Sequence, residues 1–345
     1  MSLTPRSSDL LPLAAAGALL YFAANSIIRN KRRIGLRNKT VLITGGSRGL
    51  GLVLARRFLA KGAKVAVCAR DQQELDAASR QLANHPFAAF RCDLTQRPQV
   101  EQLIADVEAR FGPIDILINN AGTITVAPAE LMTERDYREA MELHFFAPLY
   151  TTLAVLPSMR ERRSGRIVNI SSIGGKIPVP HLAPYVASKF ALTGFSETLR
   201  AELAKDNILV TTVCPGLMRT GSPRNVGVKG RYQEEFAWFI LGDSLPGASM
   251  SARRAAEKII DAAVHGDPEI VLSLPAKAAA LLHGIAPALF TRLITLQNAL
   301  LPKPPEKWDS GQGARKRRGH QSHSWLTRSP LTALTQQAAA QNNEL

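Results

Sequence analysis

Cysteine is scarce in this chain: Cys68, Cys92 and Cys214 are the three among 345 residues, an odd number with no C-x-x-C pair. That excludes a disulfide framework and a zinc site of the usual spacing, and it fits a reducing compartment. Long apolar runs are nearly absent. Leu10 to Ile28, at 19 residues, is the longest charge-free stretch, and the overall composition argues against a many-span membrane protein. No internal repeat is evident, so a solenoid or propeller is excluded as well. Aromatic residues contribute 6%, but 46% hydrophobic against 21% charged residues is ordinary for a globular chain and unlike a disordered one.

Acidic residues are also in deficit, 28 against 43 Lys and Arg, for a net charge of +15. Where the excess sits decides what it means. Arg29, Lys31, Arg32, Arg33, Arg37 and Lys39 form an acid-free cluster. Lys303, Lys307, Arg315, Lys316, Arg317, Arg318 and Arg328 form a second, offset only by Glu306 and Asp309. With most of the charge on two flanks and a nearly balanced body between them, the pattern favours an anionic membrane surface over nucleic acid. Leu10 to Ile28 followed directly by the first cluster reads as an uncleaved single-pass anchor. A signal peptide would place its positive charge before the apolar stretch, and the positive-inside rule keeps the following domain on the cytoplasmic side.

From residue 39 onward, short β-branched runs alternate with helical stretches of 10 to 15 residues, the pattern of repeated βαβ units. Strands are expected at Thr40 to Thr44, Lys64 to Ala69, Ala88 to Cys92, Ile114 to Asn119, Arg166 to Ser171, Leu209 to Cys214 and Glu269 to Leu274. The fold class is therefore α/β, a Rossmann-type doubly wound sheet of seven parallel strands, with an N-terminal membrane-anchor helix and a C-terminal helical and basic extension. The expected division is an anchor and basic flank at 1–38, the α/β domain at 39–275, apolar interfacial helices at 276–302 and a basic polar tail at 303–345. The tail composition predicts poor order. Between Gly221 and Met250 the alternation breaks, and Tyr232, Phe236, Trp238 and Phe239 mark either a mobile substrate cover or simple packing contacts.

Thr44, Gly45, Ser47, Arg48, Gly49, Leu50 and Gly51 lie between the first strand and a helix, where glycines let the backbone approach a pyrophosphate and the helix N-terminus attracts its charge. An acid ending the second strand would bind the ribose hydroxyls of NAD. Here Arg70 stands instead, with Arg48 in the loop as a second cation, so a 2′-phosphate and NADP(H) are favoured. Asp71, next in line, is expected to cap the helix beginning at Gln72. Tyr185 and Lys189 are four apart on one helical stretch, so an ammonium sits beside a phenol and draws its pKa down towards working pH. Ser172 ends the fifth strand and Asn119, Asn120, Ala121 and Gly122 end the fourth, which gathers all these groups at the carboxyl edge of one sheet.

Over residues 38 to 275 the chain resembles the short-chain dehydrogenase/reductase family. The match runs through T-G-x-x-x-G-x-G at 44 to 51, Asp93, N-N-A-G at 119 to 122, Ser172, Y-x-x-x-K at 185 to 189, and Pro215 and Gly216 with Thr220. The resemblance implies Tyr185 as general acid and base, Lys189 as the group that holds the nicotinamide ribose and lowers the phenol pKa, and Ser172 as hydrogen-bond donor to the substrate oxygen. It also implies Asp93 near adenine, Asn119 beside the cofactor, and Pro215, Gly216 and Thr220 around the carboxamide end. One position departs from the pattern: His144 stands where the family usually has an asparagine that helps hold a relay water. Histidine also hydrogen-bonds water, but its charge changes near neutral pH, and an inflection near ~6.5 is expected from it.

Together these features predict a membrane-attached, NADP(H)-dependent oxidoreductase that interconverts a carbonyl and an alcohol on an apolar, lipid-like small molecule. No metal and no nucleic acid are called for, and homo-oligomerisation is left open. The alternative is a non-catalytic NADP-binding scaffold or redox sensor with the same fold.

Overall fold

The computed structural model describes residues 23–244, 249–306, 315–324, 327 and 332–344. In chain order the body runs β1 (Thr40–Thr44), α1 (Gly49–Ala60), β2 (Lys64–Ala69), α2 (Gln72–Gln81), β3 (Phe87–Arg91), α3 (Arg97–Phe111), β4 (Ile116–Asn119) and β5 (Thr125–Val126). There follow α4 (Glu134–Met141), α5 (Ala147–Glu161), β6 (Gly165–Ile170), α6 (Ala183–Leu203), β7 (Ile208–Pro215), β8 (Met218–Arg219) and β9 (Gly227–Val228). The remainder comprises α7 (Tyr232–Ser244), β10 (Met250–Ser251), α8 (Ala252–His265), β11 (Glu269–Leu272), α9 (Leu274–Ile285), α10 (Pro287–Asn298), β12 (Arg317–Arg318) and α11 (Ala333–Gln341).

Seven strands form one parallel sheet in the order β11-β7-β6-β4-β1-β2-β3. Its central strands are buried throughout because helices cover both faces: every residue of β1, TVLIT, is buried. On one face Leu52 and Phe58 of α1 pack with Ile259 and Ile260 of α8. On the other, Ile104 and Val107 of α3 meet Val155 and Leu156 of α5. The strand order reverses between β1 and β4, which both pair through Ile43 and Ile118, so the crevice for a ligand opens above their carboxyl ends.

Strands β1 and β2 have the expected bounds, and the other five differ by one or two residues. The last strand stops at Leu272 because Ser273 takes φ +79° and caps α9, its Oγ accepting from the Ala276 amide at 3.4 Å. Asp71 caps α2 as expected, accepting from the amides of Gln73 and Glu74. The stretch after Gly221 is less open than a mobile cover. Phe236 is fully buried in a cluster with Val126, Leu182, Val226 and Val228, so the aromatic residues there are mainly packing contacts.

Both flanks differ from expectation in instructive ways. The Leu10 to Ile28 run lies mostly outside the described residues, and among the described residues no helix is long and apolar enough to cross a membrane. Residues 23–31 are helical and dock on the domain: Arg29 pairs with Asp267 at 2.8 Å and with Asp261, and the Arg32 carbonyl accepts from Arg166 at 2.8 Å. Part of the first basic cluster thus serves the fold. The predicted apolar pair after 275 is present as α9 and α10, packed together through His283 and Phe290. The expectation of a poorly ordered tail does not hold for 315–324 and 332–344. β12 pairs antiparallel with β9, and α11 buries Ala339 completely, because small alanines let this helix lie close to the backbone of the main domain.

Candidate active site

The glycine-rich loop is shaped by close backbone approaches. A Cβ on Gly51 would lie 2.2 Å from the Gly45 carbonyl oxygen, and one on Gly45, at φ +63°, would lie 2.8 Å from the Ala121 Cα. Thr44 ties this loop to the end of β4: its Oγ1 accepts from the amides of Asn120 at 2.9 Å and Ala121 at 3.1 Å. The Asn120 amide group closes the arrangement by donating to the carbonyls of Thr44 and Gly45 at 2.9 and 3.0 Å. Asn120 is therefore a site-building residue, one that sequence reasoning placed inside the N-N-A-G run without assigning it a role. A collar of this kind leaves the loop free of side chains where a dinucleotide phosphate would approach.

The charged groups around the loop divide into two kinds. Arg70, at the end of β2, is exposed and forms no ion pair among the described residues. Arg48 is already engaged, with Nη1 3.3 Å from Glu74 and 3.6 Å from Glu344. The Ser47 hydroxyl donates to Glu74 at 2.7 Å, and the Gly49 amide donates to the Asn342 carbonyl at 2.8 Å. Leu50 is buried in the first turn of α1. Asp93 is half-buried after β3, its Oδ1 accepting from the amide and hydroxyl of Thr95 at 3.1 and 2.9 Å. Gly216 and Thr220 follow Pro215 at the end of β7, with the Gly216 amide donating to the Leu272 carbonyl and Thr220 Oγ1 2.7 Å from Ser222 Oγ.

Ser172, Tyr185 and Lys189 converge at the carboxyl edge of β6. Ser172 is the second residue past the strand end and accepts from the Gly174 amide at 3.0 Å. Tyr185 and Lys189 lie on α6, and the Lys189 Nζ sits 5.7 Å from the phenol ring centre while donating to the Ile170 carbonyl at 2.7 Å. Burial pushes Lys189 down to about 7 and the Tyr185 phenol up to about 12, with the Ser172 hydroxyl pulling the phenol the other way. The sequence predicts a phenol lowered by its lysine; in the protein alone, burial sets the opposite direction. Asp243 on α7, itself raised to about 7 by burial, adds to the rise. No motif pointed to Asp243, since it falls in the irregular stretch after Gly221.

His144 differs most from its sequence-based reading. It sits in a π-helical turn over Glu142–Phe146, is almost fully buried, and stacks edge-on to Tyr185 at 5.4 Å. Its Nε2 accepts from the Thr123 amide at 3.0 Å and its Nδ1 lies 2.8 Å from Ser188 Oγ, which donates to the Tyr185 carbonyl. This assigns the neutral Nδ1–H tautomer and occupies both ring nitrogens, so neither holds a water. Burial and the nearby Lys189 ammonium lower His144 well below its ordinary range, which removes the expected inflection near ~6.5. Asn119 is also redirected. Its side chain donates to Asn169 Oδ1 at 2.8 Å and accepts from Thr151 at 2.7 Å, continuing through Ser196 to Thr212. Being spent inside the sheet, that amide group braces the core behind the site.

A doubly wound sheet with a glycine-lined crevice beside a serine, tyrosine and lysine defines a nucleotide-dependent oxidoreductase. A family profile for short chain dehydrogenase matches residues 39–229. The chain is 34% identical over 298 residues to "Dehydrogenase/reductase SDR family member 7B" of Rattus norvegicus, covering 83% of this chain and 90% of that one. It is 37% identical over 201 residues to a "Putative ketoacyl reductase" of Streptomyces coelicolor, covering 57% and 76% respectively. Among solved structures, an actinorhodin polyketide ketoreductase variant with NADPH superposes with a TM-score of 0.61 at 31% identity, over 68% of this chain and 95% of that one. The protein belongs to the short-chain dehydrogenase/reductase family of oxidoreductases, whose members bind nicotinamide cofactors.

The buried lysine supplies a test. An unfolded lysine titrates near ~10.4, so between about pH 7 and that value the unfolded chain holds a proton that folded Lys189 has released, and stability rises with pH across the window. Below about pH 7 the cost of burying the ammonium is present in full. The thermal midpoint of Lys189→Met minus that of wild type is expected to be most positive near pH 7 and to fall steadily towards about pH 10. A difference independent of pH would show that the ammonium is not desolvated as described.

Proposed function

We propose that the protein interconverts a carbonyl and an alcohol with NADP(H), acting on an apolar, lipid-like small molecule. The observation that carries this reading is the convergence of Ser172, Tyr185 and Lys189 at the sheet edge beside the glycine-lined crevice. The loop fits a dinucleotide on its own geometry: Gly45 and Gly51 admit no side chain, and the Glu344 carboxylate already rests against Gly49 as an anion would. A nicotinamide group bound there supplies or accepts the hydride. Tyr185 Oη exchanges the proton of the substrate oxygen, Ser172 Oγ donates to that oxygen as charge develops, and the Lys189 ammonium favours the ionised phenol. Val179, Tyr185 and Trp238 pack against the apolar cluster that includes Leu182 and Phe236, surroundings that support a weakly polar substrate. Arg70 and the lack of an acid at the end of β2 support NADP(H), as does the NADPH in the related ketoreductase structure.

Membrane attachment is part of the same reading. Along α9 and α10 and just beyond them, Leu274, Leu281, Ile285, Leu293, Leu296 and Leu300 are exposed, with Lys277, Arg292 and Lys303 among them. Leucines beside cations suit an anionic lipid surface, with the 10–28 run as a second point of attachment that places the domain on the cytoplasmic side.

Three measurements test the proposal. Tyr185→Phe should lower turnover of a ketone or aldehyde by ~10²–10⁴-fold while leaving NADPH affinity unchanged, and normal turnover in that variant would refute the assigned chemistry. Loss of the charged contacts at the 2′-phosphate, at ~1.5–3 kcal/mol, should make Arg70→Asp bind NADPH roughly 10- to 100-fold more weakly with little change for NADH. Equal affinity of wild type for the two nucleotides would count against Arg70. For the membrane, Leu281→Glu combined with Leu296→Glu should reduce sedimentation with mixed phosphatidylserine and phosphatidylcholine vesicles, and undiminished sedimentation would remove α9 and α10 from the attachment surface.

A further inference from the structure

The polar segment 332–344 has no part in the reaction, yet it lies across the groove that the glycine-rich loop forms with β8 and α7. We infer that this groove is a peptide-binding site whose occupant is the chain's own segment 332–344, and that this segment and the dinucleotide compete for it; the competition rests on the cofactor reading above.

The seat has two parts. Along the helix, Ala339 presses on Gly221 so closely that a Cβ there would lie 2.4 Å from the Ala339 Cα, and Thr335 Oγ1 meets Ser244 Oγ at 2.7 Å. Beyond the helix the contacts go to the loop itself. The Asn342 carbonyl takes the Gly49 amide proton at 2.8 Å, its side chain donates to the Thr220 carbonyl at 3.1 Å, and the Asn343 side chain donates to the Ser47 carbonyl at 3.0 Å.

Glu344 completes the occupation. Its side chain is only 3% exposed, accepts from Asn225 Nδ2 at 2.6 Å and lies 3.6 Å from Arg48. A Cβ on Gly49 would come within 2.5 Å of its Oε1, so the carboxylate lies directly on the backbone at the N-terminus of α1. That is where a helix start offers amide protons and positive potential to a phosphate oxygen. Ser47, Arg48, Gly49 and Thr220 cannot serve both ligands at once. The segment is also a displaceable occupant: burial raises the Glu344 carboxyl to about 7, with Arg48 opposing the rise and Glu74 adding to it. A diphosphate, carrying more charge, answers the same cations better.

The test uses the full chain. Hydrogen exchange of residues 333–344 is measured in wild type without nucleotide and at saturating NADPH, and NADPH dissociation constants are compared for wild type, Glu344→Ala and Ala339→Arg. Ala339→Arg places a long side chain where no space exists and should unseat the segment without touching the loop. If segment and nucleotide compete, saturating NADPH raises exchange across 333–344, and the variants bind NADPH about tenfold more tightly or better, since apparent affinity scales with the fraction of open groove. Unchanged exchange at saturation overturns the inference whatever the variants do, so a folding defect in Ala339→Arg leaves it testable. Equal dissociation constants for wild type and folded variants overturn it too. Failure of wild type and both variants alike to bind NADPH or NADH would instead strike the cofactor reading, and the competition would fall with it.

Discussion

Gly51 lies against the carbonyl of Gly45 at a distance that admits no side chain, and the Asn120 amide group donates to that carbonyl. The carboxyl edge of the sheet depends on this closure. It bends the chain out of β1 sharply enough for α1 to begin beside β4, and it fixes the spacing between the loop and the ends of β4 and β6. Thr44 shares the task through its hydroxyl, which receives two amide protons from the β4 end. A bulky residue at either glycine would separate the nucleotide crevice from the Ser172, Tyr185 and Lys189 group.

Behind that edge the sheet carries a polar seam unusual for a core. Thr151, Asn119, Asn169, Ser196 and Thr212 form one hydrogen-bonded chain through the interior, and a second set beside it joins Ser171 to Thr193 and the Lys189 carbonyl. Each polar group there has a partner, so the seam avoids the desolvation penalty of an unpaired one and holds α6 in register with β6 and β7. Lys189 depends on this register. Its ammonium reaches the Ile170 carbonyl with α6 held in this register, so the seam fixes where that group sits beside Tyr185.

The two flanking regions act on the domain from outside. The Arg29 and Arg32 contacts show basic residues outside the catalytic sheet recruited into packing, while α9 and α10 leave leucines facing outward. Segment 332–344 does the reverse, carrying a polar sequence into a buried position over the nucleotide groove. Charge and apolarity along the chain are therefore poor guides to which flank is bound and which is free.

What the sequence by itself determined is the periodic part. Strands such as Thr40–Thr44 and Lys64–Ala69 were legible because burial on both faces forces continuous apolar runs. The loop, Ser172, Tyr185 and Lys189 were legible because their spacing follows from where strands end and how helices turn. Tertiary structure alone decided the rest. His144 looked like a neutral-pH switch, and became a buried neutral ring only when Thr123 and Ser188 closed on it. Asn119 looked like a cofactor contact, yet Asn169, fifty residues away, draws it inward. The segment ending in Asn342, Asn343 and Glu344 had the composition of a solvated tail. Its place over Gly49 arises from a fit to Gly221, Thr220 and Ser47, more than a hundred residues distant, and local composition carries no record of contacts at that range.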